Sequence, residues 1–213
     1  GVIEVTPPSF RFDLKIEEDL IEEVARMVGY ESLPASPPLA PITPKLRPEN
    51  LRDSFAVRRH LADLGYQETI NFSFVDAAWE EKLAGNLHPI QLLNPIASQM
   101  SVLRSSLLGS LMQVLRHNLD RKADRVRVFE MGRVFMRSAS VATTDSTVRG
   151  VHQPMKLAGL AFGPVDGVQW GRKGQGGADF FDAKGDVEAL LSPLKAQYRP
   201  VAHPALHPGR CAG

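Results

Sequence analysis

The chain reads as an α+β protein: a largely antiparallel sheet flanked by helices, preceded by part of a small α+β domain. Three observations predict this. Short runs with two-residue apolar alternation are interspersed with longer runs whose apolar residues recur at helical spacing. The candidate strands are joined by hairpins as well as by helices, which argues against a doubly wound parallel sheet. Six prolines, Pro34, Pro37, Pro38, Pro41, Pro44 and Pro48, divide the first 34 residues from the remainder.

The elements follow in order. Residues 1–5 read as a strand, Pro7-Pro8 as a break, and residues 10–14 as a second short alternating strand. Residues 17–28 carry Leu20, Ile21, Val24, Met27 and Val28 on one stripe and so predict an amphipathic helix. Gly29 stands where a helix-ending glycine belongs. Residues 35–48 are expected to form an extended, semi-rigid linker, because proline fixes φ and removes a donor. Residues 51–64 predict a helix ended by Gly65. In 69–75, Ile70, Phe72 and Phe74 alternate as on a half-buried strand. A short helix should follow Asp76, and a strand should cover 90–93. The strongest helical pattern is 107–119, with Leu107, Leu108, Leu111, Met112, Leu115 and Leu119 on one face. Strands are expected at 125–129 and 133–135 around Gly132, and again at 157–162. Residues 138–154 read as a mobile hairpin loop, and 186–194 as a last helix.

The 213 residues suffice for one or two domains with a real core. Hydrophobic residues make up 43% and the net charge is +1, so nothing demands a partner bound by charge alone. A single cysteine, Cys211, leaves no internal disulfide and no thiolate zinc cluster, and fits a reducing, cytoplasmic setting. No apolar run reaches the roughly 18 residues of a membrane span, and no signal peptide is recognised. The first residue is not Met and no closing element precedes the last, so the chain is read as a piece of something longer.

Asp19, Glu22 and Glu23 stand at i, i+3 and i+4 and share one face of the first helix, with Asp13 just ahead of it. Such oxygen-only sets suit Mg²⁺ or Ca²⁺ and not zinc. Acidic residues also favour a helix's first turn for its dipole alone, so on spacing alone a solvated acidic face is the favoured reading.

Six stretches carry a resemblance. They are Val5-Thr6-Pro7-Pro8-Ser9-Phe10-Arg11-Phe12-Asp13, running into Glu18 to Arg26 and Gly29-Tyr30; Gly65-Tyr66-Gln67-Glu68 with Asn71-Phe72-Ser73-Phe74; and Leu93-Asn94-Pro95-Ile96 with Met100 to Leu108 and Asn118 to Arg121. The others are Val128 to Phe135, Phe181 to Glu188, and His207-Pro208-Gly209-Arg210. In this order and over nearly the whole chain they resemble the β subunit of bacterial phenylalanyl-tRNA synthetases. The resemblance implies that 1–34 end the small domain preceding the core. It also implies that 49–213 form a C-terminally truncated, non-catalytic copy of the class II aminoacyl-tRNA synthetase fold. It further implies an α₂β₂ assembly whose α subunit uses ATP to attach phenylalanine to tRNA(Phe). A Mg²⁺ shared with α would fall, residue for residue, to Asp13, Asp19, Glu22 and Glu23. The family's tRNA-editing module and its anticodon-binding domain correspond to nothing in these residues.

No catalytic or cofactor-binding residue is expected within the chain. Class II activation needs an arginine over the ATP α-phosphate, usually from an Arg-x-Glu turn, with a second after a glycine-rich stretch. Arg125 and Arg127 do not form Arg-x-Glu with Glu130, and the glycine-rich arginine motif is absent, so Glu130 and Arg133 are read as structural. Gly171 to Gly177 reads as a flexible loop: Asp179-Phe180-Phe181-Asp182 suggest loop and strand, not the helix N-terminus that a phosphate loop opens onto. His60, His88, His117, His152, His203 and His207 show no metal spacing. Arg104, Arg116, Arg121, Lys122, Arg125 and Arg127 are either a solvated face or a subunit or RNA phosphate contact. The rival functions are an RNA-binding module on the same fold and a metal-dependent enzyme using the acidic cluster.

Overall fold

The computed structural model describes residues 1–41, 44, 48, 51–167, 170–171, 176–203 and 205–213. They form two units, Gly1–Glu49 and Asn50–Gly213. Parts of the expected linker (42, 43 and 45–47) and of the glycine loop (172–175) lie outside the described residues.

The first unit contains helix α1, Glu17–Val28. Glu17, Glu18 and Asp19 occupy its first turn and Arg26 its last, which matches the helix dipole. Gly29 ends it at φ +97°, a value costly for any residue with a Cβ, and its N–H donates to the Ala25 carbonyl at 2.8 Å. The apolar stripe stands open, with Val24, Met27 and Val28 all exposed. The strands expected at 1–5 and 10–14 do not form. Among the described residues nothing pairs with them, and an unpaired strand leaves its backbone groups without a ladder. A turn held by Arg11 N–H on the Pro8 carbonyl at 2.9 Å takes their place.

The second unit opens with α2, Ser54–Asp63, capped where Asp53 accepts from Ala56 N–H at 2.7 Å. Strand β1, Gln67–Glu68, follows. The expected strand over 69–75 survives only at its end as β2, Phe74–Val75; Ile70 and Phe72 lie exposed instead of on a buried face. Asp76 caps the short helix α3, Ala77–Trp79, which runs into a π-helical turn at Glu80–Ala84. Strand β3 is Ile90–Gln91, and β4, Val102–Leu103, was not foreseen. Together they make a small antiparallel sheet in the order β2-β4-β3.

Helix α4, Leu108–Leu119, is followed by β5, Val126–Arg133, which runs unbroken through Gly132 where two strands were expected. Strand β6, Met136–Arg137, pairs with β7, Val151–His152, so the 138–154 connection is hydrogen-bonded at its base. Strand β8, Met155–Phe162, pairs antiparallel with β5 from Val126↔Phe162 to Arg133↔Met155. On the other edge β1 pairs parallel to β5, so the main sheet, β1-β5-β8, is mixed. The last helix, α5, is Phe180–Leu191 and begins earlier than the apolar pattern indicated. Asp179 accepts from Phe181 and Asp182 N–H while the Asp182 carboxylate accepts from Asp179 N–H, a reciprocal cap that turns the expected loop and strand into helix.

The pleat of β5 sorts the core. Val126 and Val128 pack with Leu111 of α4 on one face. Phe129 packs with Leu61 of α2 and with Tyr66 on the other, backed by Leu190 of α5. Helices therefore cover both faces of the main sheet, an α+β arrangement. No helix among the described residues is long and apolar enough to cross a membrane.

Candidate functional site

The acidic cluster is built by the turn before α1 and by the helix itself. Arg11 organises it. Its Nε and Nη2 donate to Asp13 at 3.1 and 2.8 Å, and the same Nη2 donates to Glu23 Oε1 at 2.6 Å. Arg26 takes the other Glu23 oxygen. Asp19 turns back to accept from Lys15 and Ile16 N–H at 2.7 and 3.0 Å, closing the helix N-terminus. These bonds hold the Asp13, Asp19 and Glu23 carboxyls below their ordinary range: Asp13 and Glu23 chiefly through Arg11, Asp19 through the two backbone donors. Glu22 is exposed, and no side-chain hydrogen bond or ion pair from the described residues holds it.

The structure thus brings Asp13 and Glu23 together around a guanidinium. Among the described residues no group of three or more His, Cys, Asp or Glu side chains is placed to hold a metal ion. As arranged here the four carboxylates do not fit a divalent cation, since arginine already supplies the positive charge and Asp19 is committed to the helix cap.

A buried polar centre lies on the α4 face of β5. Arg104 and Glu130 meet there at 2.6 Å. The guanidinium also donates to Ser110 Oγ at 3.2 Å and to the Arg133 carbonyl at 3.1 Å. The second Glu130 oxygen accepts from Asn71 Nδ2 at 2.8 Å. Backbone bonds fix the arginine's position: its N–H donates to the Ser73 carbonyl and its carbonyl accepts from Phe135 N–H. Glu130 therefore offers no oxygen free of protein donors, and exposed Arg133 donates to the Gln153 carbonyl at 2.8 Å.

On the opposite face, Tyr66, Arg127 and Asp186 form a second polar group. Arg127 stacks 4.5 Å over the Tyr66 ring and pairs with Asp186, which also accepts the Tyr66 hydroxyl at 2.7 Å. Burial, then the bond to Asp186, pushes the Tyr66 phenol above its usual value. Nothing in sequence spacing joins these residues, because Tyr66 and Asp186 stand 120 positions apart. A third anchor was also missed: buried Glu80, on the π-helical turn, accepts from Ser105 N–H at 2.9 Å.

The six basic residues are not one face. Arg104 and Arg127 are buried, and Arg125 donates to the Pro164 and Val165 carbonyls. Arg116, Arg121 and Lys122 are exposed. Burying two of the six removes much of the charge an RNA-binding surface would have used.

A family model described as the phenylalanyl tRNA synthetase beta chain CLM domain matches residues 33–213, and one described as the tRNA synthetase B5 domain matches residues 1–30. Among curated proteins, the phenylalanine–tRNA ligase beta subunit of Burkholderia lata is 56% identical over 208 residues, 98% of this chain and 26% of that protein. The protein of the same name from Burkholderia pseudomallei is 55% identical over 211 residues, 99% of this chain and 26% of its own length. That from Chromobacterium violaceum is 52% identical over 211 residues, with the same two shares. The chain thus spans about a quarter of the length of the curated relatives it matches.

Proposed function

This chain belongs to the family of phenylalanyl-tRNA synthetase β chains, and from that premise we propose that it is a structural and assembly portion of such a subunit. Its role is to support a catalytic α subunit in the ATP-dependent attachment of phenylalanine to tRNA(Phe), within a cytoplasmic α₂β₂ enzyme. Residues 1–34 would end the small domain, 35–48 would link it, and 49–213 would be a non-catalytic copy of the class II core. In favour of that core stand α2 leading into a strand parallel to β5 and the antiparallel β5–β8 pair at the centre.

The observation that carries the supporting role is the fate of Glu130 and Arg133. A catalytic group must reach substrate, yet Glu130 spends both carboxylate oxygens on Asn71 and Arg104, and Arg133 turns one guanidinium nitrogen to the Gln153 carbonyl. The Mg²⁺ assignment to Asp13, Asp19, Glu22 and Glu23 is proposed for the assembled enzyme only, because Arg11 holds two of these carboxylates here. That ion would be shared with α, and it would require Arg11 to release Asp13 and Glu23.

Co-expression with the α subunit of a bacterial relative, followed by size exclusion with light scattering in Mg²⁺ and then in EDTA, tests the proposal. A complex weakened both by EDTA and by Asp19→Ala with Glu22→Ala is expected. A complex indifferent to both would leave the partner and remove the bridging ion. A well-folded chain that forms no complex would contradict the assembly role.

A further inference from the structure

The sheet face beneath α2 and α5 holds a partly open cavity of about 170 Å³. Its walls are mostly apolar, with Phe129, Leu157 and Leu190 among them. Gly159 also lines it and contributes no side chain. A Cβ there would stand 3.6 Å from Tyr66 Cε1, an ordinary contact, so residue choice and not crowding leaves the space open. An apolar cavity of roughly this size holds a benzene ring.

One carboxylate, Asp186, reaches the lining. Its Oδ2 takes both internal donors, the Tyr66 hydroxyl and Arg127 Nη2. Its Oδ1 receives no hydrogen bond from the described residues, and the side chain is 21% exposed. Arg127 is not among the lining residues, so Asp186, already paired with Arg127, is the one carboxylate an occupant would meet. Such an acceptor beside an apolar wall favours a charged N–H donor, because a charge-assisted bond in a partly desolvated site is stronger than a neutral one.

We infer that this cavity binds a primary amine carrying a compact aromatic or branched apolar body. The ammonium sits on Asp186 Oδ1 and the body lies against Phe129 and Leu157. The site is independent of the acidic cluster and of the assembly role.

Three probes with one body and different head groups test it: benzylamine, benzyl alcohol and phenylacetate, each titrated into the ¹⁵N-labelled 213-residue chain. Benzylamine is expected to shift the Tyr66, Gly159 and Val187 amides saturably. Phenylacetate should bind at least tenfold more weakly, with the alcohol between them. Gly159→Val puts methyl groups into the cavity and should weaken benzylamine at least tenfold. Asp186→Asn should erase the preference for amine over alcohol. If either variant fails to fold, the ranking of probes on the unaltered chain still decides. Equal binding of all three, saturable binding of none, or full benzylamine affinity in a folded Gly159→Val chain would overturn the inference.

Discussion

Arg104 and Glu130, 26 positions apart, meet at 2.6 Å with about 3% of each side chain exposed. The pair ties the β4–α4 junction to the middle of β5, and Ser110, Asn71 and the Arg133 carbonyl use the bonds left over. Removing one partner of such a pair strands the other charge and typically costs about 3–5 kcal/mol. Arg104→Met is expected to lower the unfolding free energy by about that much in urea titrations. Arg104→Lys should also destabilise, because an ammonium lacks the planar fork that serves Glu130, Ser110 and Arg133 together. A loss under about 1 kcal/mol for Arg104→Met would show that the centre is not an anchor.

Gly132 lies against that same guanidinium. A Cβ there would overlap Arg104 Nη2 and come within 3.1 Å of Glu130 Oε1. Gly132→Ala should therefore cost about 1–3 kcal/mol, as overpacking does in a filled core. Gly109 on α4 is the contrast: its Cβ would make ordinary contacts with Trp79 and Leu83 at 3.8 and 3.9 Å. Gly109→Ala should be neutral or stabilising by up to about 1 kcal/mol, from helix propensity. Thermal melts of the two variants check the pair, and a melt for Gly132→Ala matching that of Gly109→Ala would contradict the packing.

The Tyr66 phenol sets a pH dependence at the alkaline end. Burial and then the bond to Asp186 raise its folded value above the ordinary 10.0, with Arg127 pulling in the opposite direction. The folded state therefore keeps a proton that the unfolded chain releases. Its contribution to stability is complete below pH 10.0 and is lost as pH rises through the folded value. Subtracting the ultraviolet titration of Tyr66→Phe from that of the unaltered chain isolates this phenol. Its midpoint is expected above 10.0, and one at or below would contradict the buried Tyr66–Asp186 bond.

Arg11 should act as an internal competitor for added cations, since it sits between Asp13 and Glu23. Titration of Mg²⁺ into Arg11→Ala, followed calorimetrically, is expected to show tighter binding than in the unaltered chain. Exposed pairs of this kind add little to stability, so the variant's melting temperature should barely move. Identical Mg²⁺ titrations for the two chains would mean that Arg11 does not govern these carboxylates.

The sequence makes the helices legible because their apolar spacing is local. Leu111 and its neighbours locate α4 to within a residue, and Gly29 ends α1 where a positive φ demands it. The strands were harder to read. Ile70 and Phe72 alternate as a half-buried strand would, yet pairing needs a partner at the right register, and none lies beside them among the described residues. The start of α5 was hidden because the reciprocal cap of Asp179 and Asp182 precedes the apolar pattern. Arg104 and Arg127 looked like surface charge because Glu130 and Asp186, which make their burial tolerable, come 26 and 59 positions later. For the acidic cluster, spacing located Asp19, Glu22 and Glu23 on one helix but gave no sign of Arg11's hold on Asp13 and Glu23.

Phenylalanine-dependent exchange of labelled pyrophosphate into ATP tests most directly whether this core supports catalysis without performing it. The purified chain alone is expected to give the rate of a protein-free blank, while an intact bacterial α/β enzyme in the same assay exchanges readily. Exchange above the blank by the chain alone, abolished by Glu130→Gln or Arg133→Ala in variants that still fold, would contradict the supporting role.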